Sequence, residues 1–177
     1  GLDSLMAQTQ AYATEGLLPA LSNLKDDKVW ILHGLNDKTV NRDAADKLVA
    51  QYQSWVDANN LVYVNDQPFG HHFPTEQQGT DCAVSESPFI GSCNYDAAGE
   101  MLAHLLGTLA PKSTQPAGRL HAFDQQALGG DEAKGLGETG YAYVPATCEN
   151  QQCKVHISFH GCNQYADAVG TEYATNT

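Results

Sequence analysis

Lys28-Val29-Trp30-Ile31-Leu32-His33-Gly34-Leu35-Asn36-Asp37-Lys38-Thr39-Val40 is the stretch on which the fold turns. A short apolar run rich in β-branched and aromatic side chains ends in His-Gly, which reads as a buried parallel strand entering a turn. Residues 41–59 follow, with Ala45, Leu48, Val49, Tyr52, Trp55 and Val56 at helical spacing. Asn41 is placed to cap that helix, and Asp43 sits in its first turn, where a negative charge is favoured. Leu61-Val62-Tyr63-Val64 predicts a second strand. Strand, helix, strand is a βαβ unit, whose crossover is right-handed. The loops after the two strands therefore leave the sheet at one edge, from strands ~4.8 Å apart. Ligand sites of open α/β sheets lie at that edge.

Further along, Asp96 caps a predicted helix over 96–106, with Ala98, Met101, Leu102, Leu105 and Leu106 on one face and Gly107 as its stop. Residues 107–118, with Pro111, Pro116 and Gly118, read as a connector. Strands are expected near Leu120–Phe123 and Tyr141–Val144. Cys153–Phe159 alternates, with Val155, Ile157 and Phe159 on one side, and reads as another strand. The segment 124–140, with Gly129, Gly130, Gly135, Gly137 and Gly140, predicts a turn-rich surface excursion. A helix is expected from about Gln164 to the chain end. No internal repeat or low-complexity tract interrupts the pattern.

The length suits a single domain, and 42% hydrophobic residues are enough for a substantial core. No apolar run approaches the roughly 20 residues needed to span a membrane, and residues 1–20 lack a signal-peptide layout. With 9 basic against 21 acidic residues, the net charge of −12 argues against nucleic acid, whose phosphates demand Lys/Arg clusters.

Cysteines stand at 82, 93, 148, 153 and 162. Cys82 and Cys93 flank a Ser/Pro/Gly-rich loop, and Cys148 and Cys153 bracket a polar one. Local pairs of this kind suit disulfides in an oxidising, secreted setting; reduced thiols in a cytosolic protein are the plainer reading. Zinc is disfavoured by irregular spacing with no C-x2-C pair. Cys162 is left over, as a free thiol or one with a partner outside the chain.

Three loops carry the chemistry. Asp37 follows the first strand, Gly70-His71-His72-Phe73-Pro74-Thr75 follows the second, and His160-Gly161-Cys162-Asn163-Gln164 follows the 153–159 run. In this order they read as the acid, base and oxyanion loops of an α/β-hydrolase, a mostly parallel sheet flanked by helices. The acid orients the imidazole and stabilises its charged form, and backbone N–H groups near a Gly receive the developing oxyanion. Asp37 and His71 are thus expected within hydrogen-bond reach, with His72 the second choice of base. Plainer readings are a turn-forming Asp37 and ordinary loop histidines. Cys162 is an alternative nucleophile, and His156 with His160 and His71 or His72 an alternative metal set. Gly-x-Ser-x-Gly, the nucleophile elbow, occurs nowhere in the 177 residues. The chain reads as a single partial catalytic domain, 1–177, with its serine encoded upstream of Gly1.

The stretches 29–40, Gly70–Thr75 and Phe159–Gln164, together with Ser87-Pro88-Phe89-Ile90-Gly91-Ser92-Cys93-Asn94-Tyr95-Asp96-Ala97-Ala98-Gly99, resemble the extracellular poly(3-hydroxybutyrate) depolymerases with a circularly permuted (type 2) catalytic domain. The last stretch is the specific one; His-Gly alone is not. In that family the elbow comes first, then Asp, then His, with the oxyanion loop last. The resemblance implies Asp37 as triad acid, His71 as base and the Cys162 backbone N–H as oxyanion donor. It implies that Cys162 pairs with a cysteine beside the nucleophilic serine, and that no cofactor or metal takes part. It implies a secreted serine esterase cleaving poly(3-hydroxybutyrate) or related short-chain polyesters and oligoesters, inactive as this fragment alone. The alternatives are an esterase on plant-wall feruloyl or acetyl esters and a catalytically dead polymer-binding module. If the serine-bearing segment is missing, strands 28–32 and 153–159 should border an exposed gap, with Cys162 at its edge.

Overall fold

The computed structural model describes residues 1–113 and 115–175. Position 114 of the predicted connector and positions 176–177 of the predicted C-terminal helix lie outside them. The chain divides into two compact units, Gly1–Leu109 and Ala110–Thr177.

The first unit opens with helix α1, Leu2–Thr14, a segment to which the sequence pattern assigns nothing. The predicted βαβ unit follows: β1 (Val29–Leu32), α2 (Arg42–Gln53) and β2 (Leu61–Val64). β1 and β2 pair in parallel, Val29 opposite Leu61 through Leu32 opposite Val64. The Asn41 side chain accepts the Asp43 N–H at 2.9 Å, the capping bond expected of it. Helix α2 ends at Gln53, short of the predicted 59, because Trp55 and Val56 turn back to the Tyr52 carbonyl. Val49 and Ala45 face the core together with Val56.

A second small sheet has strands too short to show a period in sequence: β3 (Phe73–Thr75), β4 (Thr80–Asp81) and β5 (Ile90–Ser92), in the order β3-β5-β4 and parallel throughout. Ile90 in β5 and Phe69, ahead of β3, are deeply buried, at 1% and 2% exposure. Helix α3 (Ala97–Leu106) matches its predicted bounds, with the Asp96 carboxylate accepting the Gly99 N–H at 2.9 Å.

In the second unit, β6 (Gly118–Asp124) and β7 (Thr139–Pro145) form an antiparallel hairpin, Leu120 opposite Tyr143. The expected excursion between them is partly helical: α4 (Gln125–Gly129) is capped by the Asp124 side chain, and a tight turn runs over Gly130–Ala133. Residues 153–159 do not form the predicted strand. No strand is formed there, and Val155, Ile157 and Phe159 are 82%, 69% and 83% exposed. Alternation supplies one apolar face, but a strand also needs a hydrogen-bonding neighbour. In place of one helix from Gln164 there are two short ones, α5 (Ala166–Val169) and α6 (Glu172–Thr175), broken at Gly170, whose φ is +59°. Among the described residues no helix is long and apolar enough to cross a membrane.

Candidate active site

The site is built where the loops after β1 and β2 meet. His33 continues the β1 ladder, its N–H bonded to the Val64 carbonyl at 2.9 Å. The chain then lies down on the 67–69 segment: Leu35 N–H bonds Gln67 O, Asn36 N–H bonds Phe69 O, and the Asn36 amide bonds Pro68 O. So close an approach needs Gly34, where a Cβ would stand 2.1 Å from the Phe69 carbonyl oxygen. This seam carries Asp37 to His71.

His71 Nδ1 lies 2.9 Å from Asp37 Oδ2. The other carboxylate oxygen accepts the backbone N–H groups of Thr39 and Val40, each at 2.9 Å. The Asp37 side chain is 7% exposed and that of His71 38%. Burial pushes the Asp37 carboxyl up, but the Val40 N–H, the His71 hydrogen bond and charge, and the Thr39 N–H together outweigh it. The net pKa lies below the ordinary 3.8. Asp37 is therefore a carboxylate at neutral pH, and the hydrogen between it and His71 resides on Nδ1. Nε2 of a neutral His71 is left bare, on a ring open to solvent on one side.

His71 is held from behind. Its backbone N–H donates to Ser85 Oγ at 2.7 Å, and the Phe89 ring meets its edge at a centroid distance of 6.4 Å. Gly70 N–H and His72 Nε2–H both donate to the Cys82 carbonyl, at 2.8 and 2.6 Å. His72, the second-choice base, is thus buried and bonded away from Asp37, and Gly91 makes room for its ring. Both predicted disulfides are present, Cys82–Cys93 and Cys148–Cys153. The first ties the Cys82 carbonyl, on which the His72 side relies, to β5.

Among the described residues, His72, Cys82 and Cys93 are the one group of side chains close enough to share a metal ion. The two sulfurs are bonded to each other, so neither is the thiolate that ligates a metal, and His72 Nε2 is bonded to Cys82 O. His156 and His160 belong to no such group.

In the second unit, Gly161 N–H bonds the Gln164 side chain at 2.7 Å, and Gln164 N–H returns to Gly161 O at 3.1 Å. This turn presents Cys162, which is exposed and carries a free thiol. The sequence reading does not single out His33. It is 5% exposed, follows β1 directly and bonds the Val40 carbonyl through Nε2. Its position between an apolar strand and Gly34 is the signal that could have marked it.

No family model matches the chain. Individual proteins do. A poly(3-hydroxybutyrate) depolymerase from Delftia acidovorans is 35% identical over 98% of this chain and 36% of its own length. A polyhydroxybutyrate depolymerase from Talaromyces funiculosus is 33% identical over 90% of this chain and 48% of its own length. A solved PHB depolymerase complexed with an R3HB trimer superposes with a TM-score of 0.92 at 30% identity, over 99% of this chain and 56% of that one. The chain thus spans between about a third and a half of the curated relatives it matches. Along nearly its whole length it is homologous to the poly(3-hydroxybutyrate) depolymerases, and it has the α/β-hydrolase fold of which it makes up a part.

Proposed function

We propose that residues 1–177 are the acid–base part of a secreted serine esterase that hydrolyses poly(3-hydroxybutyrate) or related short-chain polyesters. The observation that carries this reading is the 2.9 Å contact between His71 Nδ1 and a carboxylate already anchored by two backbone N–H groups. In this reading His71 Nε2 takes the proton of a serine hydroxyl as the oxygen attacks the ester carbonyl. Asp37 keeps the imidazole in the tautomer that leaves Nε2 free and stabilises the imidazolium that forms. The same proton then goes to the leaving hydroxyacid oxygen. Water repeats the cycle to release the acyl group.

The Cys162 backbone N–H serves as an oxyanion donor, a role in which a single donor contributes ~3 kcal/mol of transition-state stabilisation. The serine belongs to a part of the catalytic domain outside these 177 residues, in the permuted order serine, Asp37, His71, oxyanion loop. Cys162, the odd free thiol, pairs with a cysteine beside that serine. The exposed apolar side chains of Val155, Ile157 and Phe159, and the two-stranded β1–β2 sheet, are what the missing strands cover.

The test is clearing of a poly(3-hydroxybutyrate) film by the intact enzyme beside its His71→Ala variant. Clearing by the first and not by the second supports the reading. Turnover of feruloyl or acetyl esters with no film clearing would assign a different substrate class. Film adsorption without hydrolysis of any ester would make the protein a binding module.

A further inference from the structure

The acid of the candidate pair is steadied by a second histidine that no part of the proposed chemistry uses. His33 is one of two polar residues buried as a whole among the described residues, the other being His72. Its Nε2 lies 2.9 Å from the Val40 carbonyl oxygen, seven residues away in sequence. A carbonyl only accepts, so Nε2 must carry the hydrogen. Nδ1 is buried with no hydrogen-bond partner. A hydrogen there would be an orphaned buried donor, so the ring hydrogen is placed on Nε2.

Val40 is consequently gripped at both of its backbone polar groups. Its N–H donates to Asp37 Oδ1 and its C=O accepts from His33. His33 Nε2 is 3.8 Å from Asp37 Oδ2, too far for a hydrogen bond but close enough for the ring to wall off that oxygen. Asp37 Oδ2 is the atom that meets His71 Nδ1. The loop from His33 to Val40 is therefore closed across its mouth by one side-chain bond, and the carboxylate hangs from the residue that bond fixes.

We propose that His33 is a positioning residue for the acid, holding the Asp37 carboxylate in register with His71 through Val40. The proposal rests on the reading of Asp37 and His71 as an acid–base pair. Its consequence is separable from that reading, because the geometry of the Asp37–His71 hydrogen bond has a readout of its own.

The experiment uses the intact enzyme with His33→Phe, which fills the buried site without a donor, and His33→Gln, whose terminal amide stands near the place of Nε2. Val49→Ala, in the core of α2, serves as a control for general destabilisation. For His33→Phe, kcat should fall on the order of tenfold to a hundredfold, the range of a small misplacement of a catalytic group, with KM little changed. The imidazole N–H proton resonance that disappears in His71→Ala should shift or broaden in His33→Phe. His33→Gln should recover most of kcat and the resonance, and Val49→Ala should keep both. Should the phenylalanine variant not fold, His33→Asn gives the same comparison, since its amide nitrogen stands in the place of Nδ1.

A His33→Phe enzyme with unaltered kcat and an unmoved His71 resonance would overturn the proposal, as would a folded His33→Gln no better than His33→Phe. Full activity of Asp37→Ala would instead sink the acid–base reading. The resonance in His33→Phe would then still report whether His33 positions the loop.

Discussion

Asp37→Asn is the most revealing single change, because the carboxylate has no orientation in which an amide can replace it. One oxygen accepts Thr39 N–H and Val40 N–H at 2.9 Å each, and the other accepts from His71 Nδ1 at 2.9 Å. If the asparagine keeps its oxygen toward the two backbone donors, its NH2 faces His71. The ring then has to turn to the tautomer with a bare Nδ1 and a hydrogen on Nε2, and it cannot take a proton from a nucleophile. If the amide flips, its NH2 confronts two backbone N–H groups, and two hydrogen bonds of roughly 1.5–3 kcal/mol each are lost. The first orientation wins, so the variant folds with the wrong tautomer. The expected loss is about 10⁴ in kcat, close to 5.5 kcal/mol in the barrier, with little change in KM. Initial rates on a soluble 3-hydroxybutyrate oligomer measure it, with circular dichroism to verify the fold.

The same substitution has a pH signature in stability. The folded carboxyl lies below its ordinary 3.8, so ionised Asp37 stabilises the fold above that value, and the contribution is lost as pH falls through the folded pKa. The gap in unfolding free energy between wild type and Asp37→Asn should thus be widest near neutral pH and narrow below about pH 4. More than about a tenth of wild-type kcat in Asp37→Asn would refute the reasoning, since no wrong-tautomer enzyme retains that much.

Gly34→Ala drives a Cβ against the Phe69 carbonyl, under a side chain that is 2% exposed, so the seam between the two loops must part. A loss of about 1–3 kcal/mol in urea unfolding is expected, together with loss of activity. The double change Cys82→Ala and Cys93→Ala opens a loop of sequence separation 11 and releases the anchor of His72. It should cost about 3 kcal/mol by thermal unfolding. Asp96→Ala removes the cap of α3 and should cost about 1 kcal/mol, with kcat unchanged. Alkylation of residues 1–177 without reductant should modify Cys162 alone.

The part of the fold that positions Asp37 was legible because its determinants are local. An apolar run, a His-Gly stop, a capped amphipathic helix and a second apolar run fix β1, α2 and β2 within forty residues of chain. Asp96 and Gly107 bound α3 for the same reason. The β3-β5-β4 sheet was not legible, since strands of two or three residues have no period. Their pairing is set by His72, the Cys82–Cys93 bond and the burial of Phe69 and Ile90. Residues 153–159 show the converse failure. Their alternation is genuine, but strand pairing is a property of two segments and this one forms no strand in the described residues. Within the site, His71 over His72 could not be chosen from an adjacent pair. What decides it is that His72 is drawn inward to the Cys82 carbonyl while His71 remains at the surface beside Asp37.

Labelling of the intact enzyme with a fluorophosphonate, followed by peptide mapping, tests most directly whether Asp37 and His71 activate a serine. One serine outside residues 1–177 should be modified, at a rate that collapses in His71→Ala and Asp37→Asn, and Cys162 should be recovered in a disulfide with a neighbour of that serine. Ester hydrolysis by an enzyme that takes no label, with Cys162 recovered as the acylated residue, would contradict the serine mechanism and make the thiol the nucleophile.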